Sequence, residues 1–266
     1  MNDRPIRLAV VGTGYVGLTT GACFAHLGHQ VVCADIDERK VDLLNAGHIP
    51  IVEEGLESIV NAARAAGLLE FVLGAETAAR GADIVLLCVP TPQGDDGSAD
   101  LSYIQAAAAQ IAPVLEPGAI VVNKSTVPVG STLAVERVLE RDDVHVVSNP
   151  EFLREGTAVH DFLHPDRVVI GSADRGAAER VAELYAGVDT PVHITDPASA
   201  ETIKYAANGF LAMKISFVNA VAAMCEAVGA DVAAVVEGIG ADQRIGTQFL
   251  RPGPGWGGSC FPKDSR

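Results

Sequence analysis

Basic residues are scarce in this chain of 266 residues: 19 Lys and Arg stand against 34 Asp and Glu, a formal net charge of −15. So acidic a balance argues against a phosphate-backbone binder, since no basic stripe offsets the repulsion, and nucleic acid is not an expected partner. Cysteine is sparse too. The five thiols, Cys23, Cys33, Cys88, Cys225 and Cys260, form no CxxC pair and no metal-ligand spacing. That speaks against a disulfide framework or a zinc site and fits a reducing, cytoplasmic setting. No apolar signal region follows Met1, and no uninterrupted apolar run reaches the roughly 18 residues of a membrane span, so no membrane partner is expected. His160 and His164 have helical i,i+4 spacing but no third ligand nearby, and no metal is expected there. Apolar residues, by contrast, are plentiful. At 48% of the chain they suffice for one large core or two modest ones.

Ile6 to Val11 is a continuous apolar run, the pattern of a strand buried on both faces in a parallel sheet. It leads into Gly12-Thr13-Gly14-Tyr15-Val16-Gly17, the GxGxxG fingerprint. The first glycine makes the tight turn, the second lets a pyrophosphate approach, and the third lets helix and strand pack closely. A helix from Tyr15 to about Leu27 presents its N-terminal amides to the phosphates. A second strand, Gln30 to Ala34, ends in Asp35, about where an acid bonds the adenosine ribose and repels a 2′-phosphate, so NAD is expected over NADP. Lys40, on the next helix, lies either beside the ribose or pyrophosphate or on a solvated face.

Gly47 to Gly55 reads as a loop, Leu56 to Ala66 as a helix, and Phe71–Leu73, Asp83–Val89, Ile120–Asn123, Val144–Val147, Val168–Gly171 and Val192–Thr195 as strands. Leu101–Leu115 and Ala177–Tyr185 read as helices. Thr91, after the Asp83–Val89 strand, sits either at the coenzyme or in a rigid Pro-flanked turn. Hydroxyls and a glycine gather again in Ser125-Thr126-Val127-Pro128-Val129-Gly130. Glu151 and Glu155, four apart in Asn149-Pro150-Glu151-Phe152-Leu153-Arg154-Glu155-Gly156, share one face if helical and otherwise form an exposed acidic pair.

From Pro197 the pattern becomes one long helix, Ala198 to about Gly229, capped by Asp196 or Thr195. Ala200, Ile203, Ala207, Leu211, Ile215, Val218 and Ala222 give it an apolar face. Lys204 and Asn208 lie one turn apart, either beside a ligand where an oxyanion forms or on a solvated face. Asp231 to Ile239 reads as a further helix. Near the end, four glycines from Gly253 to Gly258 lead into Cys260, with Lys263 and Asp264 within four positions: a setting for a nucleophile. The other four cysteines sit in apolar runs and read as core. Together these patterns predict an α/β chain. Residues 1–196 form a Rossmann-like, doubly wound, mostly parallel sheet that binds NAD, and residues 197–266 a helical, long-helix dimerisation segment.

The fingerprint, Ser125-Thr126-Val127-Pro128, Asn149 to Gly156, Lys204 with Asn208, Asp242-Gln243-Arg244-Ile245-Gly246 and Gly257-Gly258-Ser259-Cys260 with Lys263-Asp264 resemble, in this order, the nucleotide-sugar 6-dehydrogenases. The resemblance implies oxidation of a primary alcohol to a carboxylate with two NAD in succession. UDP-glucose is the sugar expected, and GDP-mannose or UDP-N-acetylmannosamine the alternatives. It implies Cys260 as the nucleophile, Lys204 as an oxyanion stabiliser assisted by Asn208, and Asp264 as a base or water-positioning group. Thr126, Glu151 and Glu155 would lie near the nicotinamide, the reacting carbon and ordered water, with Lys263 among the coenzyme contacts. Phe152, Leu153, Phe249 and Gly257 would hold the sugar. Arg244 would reach into a neighbouring subunit's site, and a homodimer would form through the long helix. It also implies a further α/β domain beyond Arg266 that holds most of the uridine diphosphate, and little activity from these 266 residues alone. A non-catalytic NAD-binding module is the reading of a different class.

Overall fold

Each apolar run is a strand, and between the strands the chain coils into helices that cover both faces of the sheet. The structure is a computed structural model, and it describes residues 6–92, 94 and 99–255. The strands are β1 (Arg7–Val11), β2 (Gln30–Asp35), β3 (Leu69–Leu73), β4 (Ile84–Leu87), β5 (Ile120–Asn123), β6 (His145–Ser148), β7 (Val168–Gly171) and β8 (Val192–Thr195). The helices are α1 (Tyr15–His26), α2 (Glu38–Asn45), α3 (Leu56–Ala65), α4 (Ala75–Ala79), α5 (Ser102–Ile111), α6 (Ser131–Leu139), α7 (Ala158–Leu163), α8 (Arg175–Glu183), α9 (Pro197–Val228) and α10 (Val232–Gly240).

The eight strands form one sheet in the order β3-β2-β1-β4-β5-β6-β7-β8. Every pair is parallel except β6 with β7, which meet antiparallel through Ser148 and Gly171. Alternate residues serve opposite faces: Leu8 and Val10 join the core shared with α1, α3 and α8, while Ala9 and Val11 join the one shared with α4, α5 and α6. Strand order reverses between β1 and β4, so the crevice beyond their carboxyl ends is the place where such sheets take ligands.

The expected Leu101–Leu115 helix stops at Ile111 and continues as a 3₁₀ turn, Ala112–Val114, because Pro113 offers no N–H to the ladder. Asp196 caps α9, its carboxylate accepting from Ser199 N (2.9 Å) and Ser199 Oγ (2.6 Å). The chain falls into two compact units, Met1–Thr202 and Ile203–Arg266. Along α9, Ala200 and Val218 are buried, as the apolar periodicity requires, but Ile203 is exposed, and the buried line also holds Glu201, Lys204 and Asn208. Exposed apolar residues mark a second side: Ile203, Phe210, Met213, Phe217, Met224 and Val228, at intervals of seven, three, four, seven and four. Among the described residues α9 is also the one helix long and apolar enough, by length and composition, to cross a membrane. An 18-residue window averages a hydropathy of 1.5 although polar side chains interrupt it.

Candidate active site

The fingerprint turn is shaped by what its glycines lack. Gly12 has φ +100°, a left-handed conformation, and a Cβ there would lie 2.6 Å from Cys88 O at the end of β4. A Cβ on Gly17 would fall 1.9 Å from Gly12 O. Gly14 is different: its φ is −70°, and a Cβ would meet nothing within 4 Å. No side chain caps α1 at Gly14, and open space lies where a side chain at 14 would stand, so the start of a 12-residue helix is left as a pyrophosphate site requires.

Asp35, at the end of β2, closes the far side. Its Oδ2 accepts from Thr13 N (3.0 Å), Thr13 Oγ1 (2.6 Å) and Lys40 Nζ (3.0 Å), and its Oδ1 from Asp37 N (3.1 Å). Burial pushes the carboxyl pKa up, but the bonds from Thr13, Asp37 and Lys40 outweigh it and bring the group down to about 2. Asp35 is therefore anionic at neutral pH. Oδ1, with one partner, retains capacity for a ribose hydroxyl. Lys40 is tied to this carboxylate rather than lying on an unattached solvated face. Val16 packs against the core, and Tyr15 opens α1. The turn, the uncapped helix and the anchored acid fit a dinucleotide, and Gly12, Gly14, Tyr15, Val16, Gly17, Asp35 and Lys40 would hold it.

The carboxyl ends of β4, β5 and β6 carry the next group. Thr91 Oγ1 donates to Thr126 O (2.9 Å), and Ser125 Oγ to Val89 O (2.7 Å), which stitches the loops after β4 and β5 together. Beside them is a buried polar knot absent from the sequence reading. Lys124 Nζ donates to Asn149 Oδ1 and Tyr185 OH, each at 3.2 Å, Tyr185 OH donates to Asn149 Oδ1 (2.7 Å), and Asn149 Nδ2 donates to Val169 O (2.8 Å).

Glu151 and Glu155 do not share a helical face. The segment from Glu151 to Arg154 is irregular, because the buried Glu151 carboxylate turns back to accept from Leu153 N (2.6 Å) and Gly156 takes φ +93°. Glu155 is exposed. The Phe152 ring lies under the Arg167 guanidinium, 3.8 Å from its centroid, and Leu153 packs on the core.

Two acids that sequence reasoning missed are buried on backbone amides. Glu201, 2% exposed, accepts from Gly130 N (2.6 Å), Thr132 N (2.9 Å) and Thr132 Oγ1 (2.8 Å), which caps the start of α6. Glu53, in the loop before α3, accepts from Tyr15 OH, Gly156 N (2.9 Å) and Ala158 N (2.7 Å). Burial and the Glu53 carboxylate hold the Tyr15 phenol well above its usual pKa. An acid three residues before Lys204 was the available signal for Glu201, since positions i and i+3 share a helix face.

In the second unit Lys204 and Asn208 are 4% and 6% exposed, which disposes of the solvated alternative. Phe249 is half-buried with φ +61°, a conformation rare outside glycine. Arg244 folds back on Asp242 (Nη2 to Oδ2, 2.6 Å). Lys214 Nζ donates to Ile245 O (3.0 Å) and Asn219 Oδ1 accepts from Gly253 N (2.9 Å), two tethers from α9 onto the segment after α10. Gly257, Cys260, Lys263 and Asp264 lie outside the described residues. Cys23, Cys33, Cys88 and Cys225 are free and buried, and burial pushes the thiols of Cys23 and Cys88 up to about 12 and that of Cys33 higher still.

A doubly wound sheet with this fingerprint, an open helix N-terminus and an acid after β2 defines a dinucleotide-binding protein of the NAD-preferring type. The chain belongs to the UDP-glucose/GDP-mannose dehydrogenase family: residues 6–189 match its NAD binding domain and residues 198–266 its central domain. It is similar to the UDP-glucose 6-dehydrogenase of Rhizobium meliloti, with 50% identity over 98% of this chain and 62% of the relative. It is also similar to the UDP-glucose 6-dehydrogenase TuaD of Bacillus subtilis, with 50% identity over 97% and 57%. The structure resembles that of a UDP-glucose dehydrogenase from Pyrobaculum islandicum, with TM-score 0.94, 43% identity, and coverage of 99% of this chain and 63% of that one. A GDP-mannose dehydrogenase from Pseudomonas aeruginosa matches with TM-score 0.86 and 34% identity over 97% and 62%. The chain thus spans 57% to 62% of the length of these curated relatives.

Proposed function

We propose that the protein is an NAD-dependent UDP-glucose 6-dehydrogenase that takes C6 of the glucose from alcohol to carboxylate. The observation that carries this reading is the assembled coenzyme fingerprint, with Asp35 held ionised, in a chain 50% identical to a UDP-glucose 6-dehydrogenase. NAD, when bound, supplies the hydride acceptor, and the four-electron change calls for two molecules of it. Asp35 excludes a 2′-phosphate by charge, and the uncapped end of α1 takes the pyrophosphate.

The rest falls to the chain's own groups. After the alcohol has lost its first hydride and a proton, the Cys260 thiolate adds to the resulting aldehyde to give a thiohemiacetal. Loss of the second hydride and proton leaves a thioester, and water, activated by Asp264, cleaves it to the carboxylate and the free thiol. Lys204 and Asn208 stabilise the oxyanions at both tetrahedral stages, from side chains kept out of bulk water where such donors count most. Thr126, Glu151 and Glu155 order the reacting end, while Phe152, Leu153, Phe249 and Gly257 hold the hexose.

The exposed apolar side of α9 supports a homodimer formed through that helix, since six large apolar residues in one repeating line are costly to leave in water. Arg244 would then exchange Asp242 for the neighbouring subunit's substrate. The four buried, free thiols support a cytoplasmic location. The test is to assay the full-length protein against UDP-glucose, GDP-mannose and UDP-N-acetylmannosamine while counting NADH per sugar. Two NADH per UDP-glucose is expected. One per sugar would refute the four-electron reading, and NAD binding without turnover of any sugar would make this a non-catalytic module.

A further inference from the structure

The Tyr15–Glu53 pair grips the backbone on both sides of Glu155. Tyr15 OH lies 3.1 Å from Arg154 O and 3.1 Å from Gly156 N, and Glu53 Oε2 takes both the phenol proton and the Gly156 N–H, while Oε1 takes the Ala158 N–H. Three stretches far apart in sequence meet at this one carboxylate: the first residue of α1, the loop before α3, and the turn that follows β6. Within the turn and the helix that follows it, Asp161 accepts from Arg154 N (2.9 Å), Arg154 Nε (2.9 Å) and Thr157 Oγ1 (3.1 Å). Glu53 and Tyr15 fasten that turn to the end of the helix where a pyrophosphate would sit.

We propose that Glu53 is a positioning residue, which sets the Glu151–Gly156 segment against the coenzyme fingerprint through Tyr15 and two backbone amides. The consequence for substrate handling rests on the function proposed above. The chemistry demands a carboxylate. Both oxygens accept from backbone N–H groups, so a glutamine in either flip turns its own NH₂ toward one of them, and either Ala158 N loses this acceptor or Gly156 N keeps only the longer bond to the Tyr15 phenol.

The test compares wild type with Glu53→Gln, Tyr15→Phe and the double variant. By hydrogen exchange, Gly156 or Ala158 is expected to exchange about tenfold faster in Glu53→Gln, the worth of one charge-assisted hydrogen bond. In the full-length protein kcat/KM for UDP-glucose is expected to fall about tenfold or more while Kd for NAD stays within about threefold, a split that a general loss of stability would not produce. Tyr15→Phe is expected to fall less, and the double variant no further than Glu53→Gln, because both act on one turn. Unchanged exchange at Gly156 and Ala158, additive losses, or, in Glu53→Gln, weakened NAD binding in step with turnover would overturn the proposal. Should wild type oxidise no nucleotide sugar, the proposed function fails, and the exchange rates, which need no substrate, still decide the role of Glu53. If Glu53→Gln does not fold, exchange in Tyr15→Phe at Gly156 decides it.

Discussion

Replacing Glu201 with glutamine exchanges a buried carboxylate that accepts three hydrogen bonds for an amide that accepts at one atom only. If the amide oxygen keeps Thr132, its nitrogen faces Gly130 N–H and leaves that donor unpartnered, at about 1–3 kcal/mol. Removal of the negative charge from the first turn of α6 costs about 0.3–1 kcal/mol more. The expected loss is therefore about 2–3 kcal/mol, which for a unit of this size lowers Tm by about 4–12 °C. Glu201→Ala takes the acceptor from all three donors and is expected to cost about 4 kcal/mol. Thermal unfolding followed by circular dichroism, with urea unfolding beside it, reads both. A glutamine variant that melts within about 1 °C of wild type would mean that water replaces the carboxylate at no cost, and the reasoning would fail.

Asp35→Asn is expected to lower stability by about 2 kcal/mol at pH 7. Because the folded carboxyl lies near 2 against 3.8, the difference from wild type holds above about pH 4 and closes as pH falls toward 2, as urea unfolding across that range would reveal. The same variant is expected to raise NADP affinity relative to NAD about tenfold, measured by calorimetry, since the charge facing a 2′-phosphate is gone. Iodoacetamide on the native protein is expected to modify Cys260 alone, with peptide mapping as the check, because burial denies Cys23, Cys33 and Cys88 their thiolates; Cys260→Ser is expected to lose NADH production by at least about 10³-fold. If the proposed dimer forms through α9, wild type is expected to sediment as a dimer and Phe217→Glu, in the middle of the exposed side of that helix, as a monomer at the same concentration by analytical ultracentrifugation.

The parts of the fold legible in sequence were those with a local signature. Apolar runs marked the strands, continuous in the centre of the sheet and interrupted by Glu70 in β3 and His193 in β8, a proline and an aspartate marked the start of α9, and glycine spacing marked the fingerprint. Helices α4, α6 and α7 escaped because they are short and their own N-cap residues give no side-chain cap; α6 starts after Gly130 in a left-handed conformation and is capped from a distance by Glu201, signals that local composition does not carry. The site divides in the same way. Asp35 was legible because its distance from the glycines is set by one βαβ unit. Glu53 and Glu201 were not, because their partners are main-chain amides 69 to 105 residues away, and an N–H has no residue identity to recognise. The spacing of Glu151 and Glu155 left open a shared helical face or an exposed pair, and neither describes the segment, because four-residue spacing does not register a buried carboxylate that turns back on its own backbone or a glycine at positive φ immediately afterwards.

The glycines of the first turn differ in who requires them. Those at 12 and 17 are demanded by neighbouring backbone, so folding alone preserves them whatever the protein does. The one at 14 has an ordinary φ and open space where a side chain would stand, so only an occupant of that space forbids a Cβ. In a duplicated copy that had ceased to use its coenzyme, position 14 would be released to drift while 12 and 17 stayed fixed. The residue found there is thus a record, readable without an assay, of whether a given descendant still holds its nucleotide.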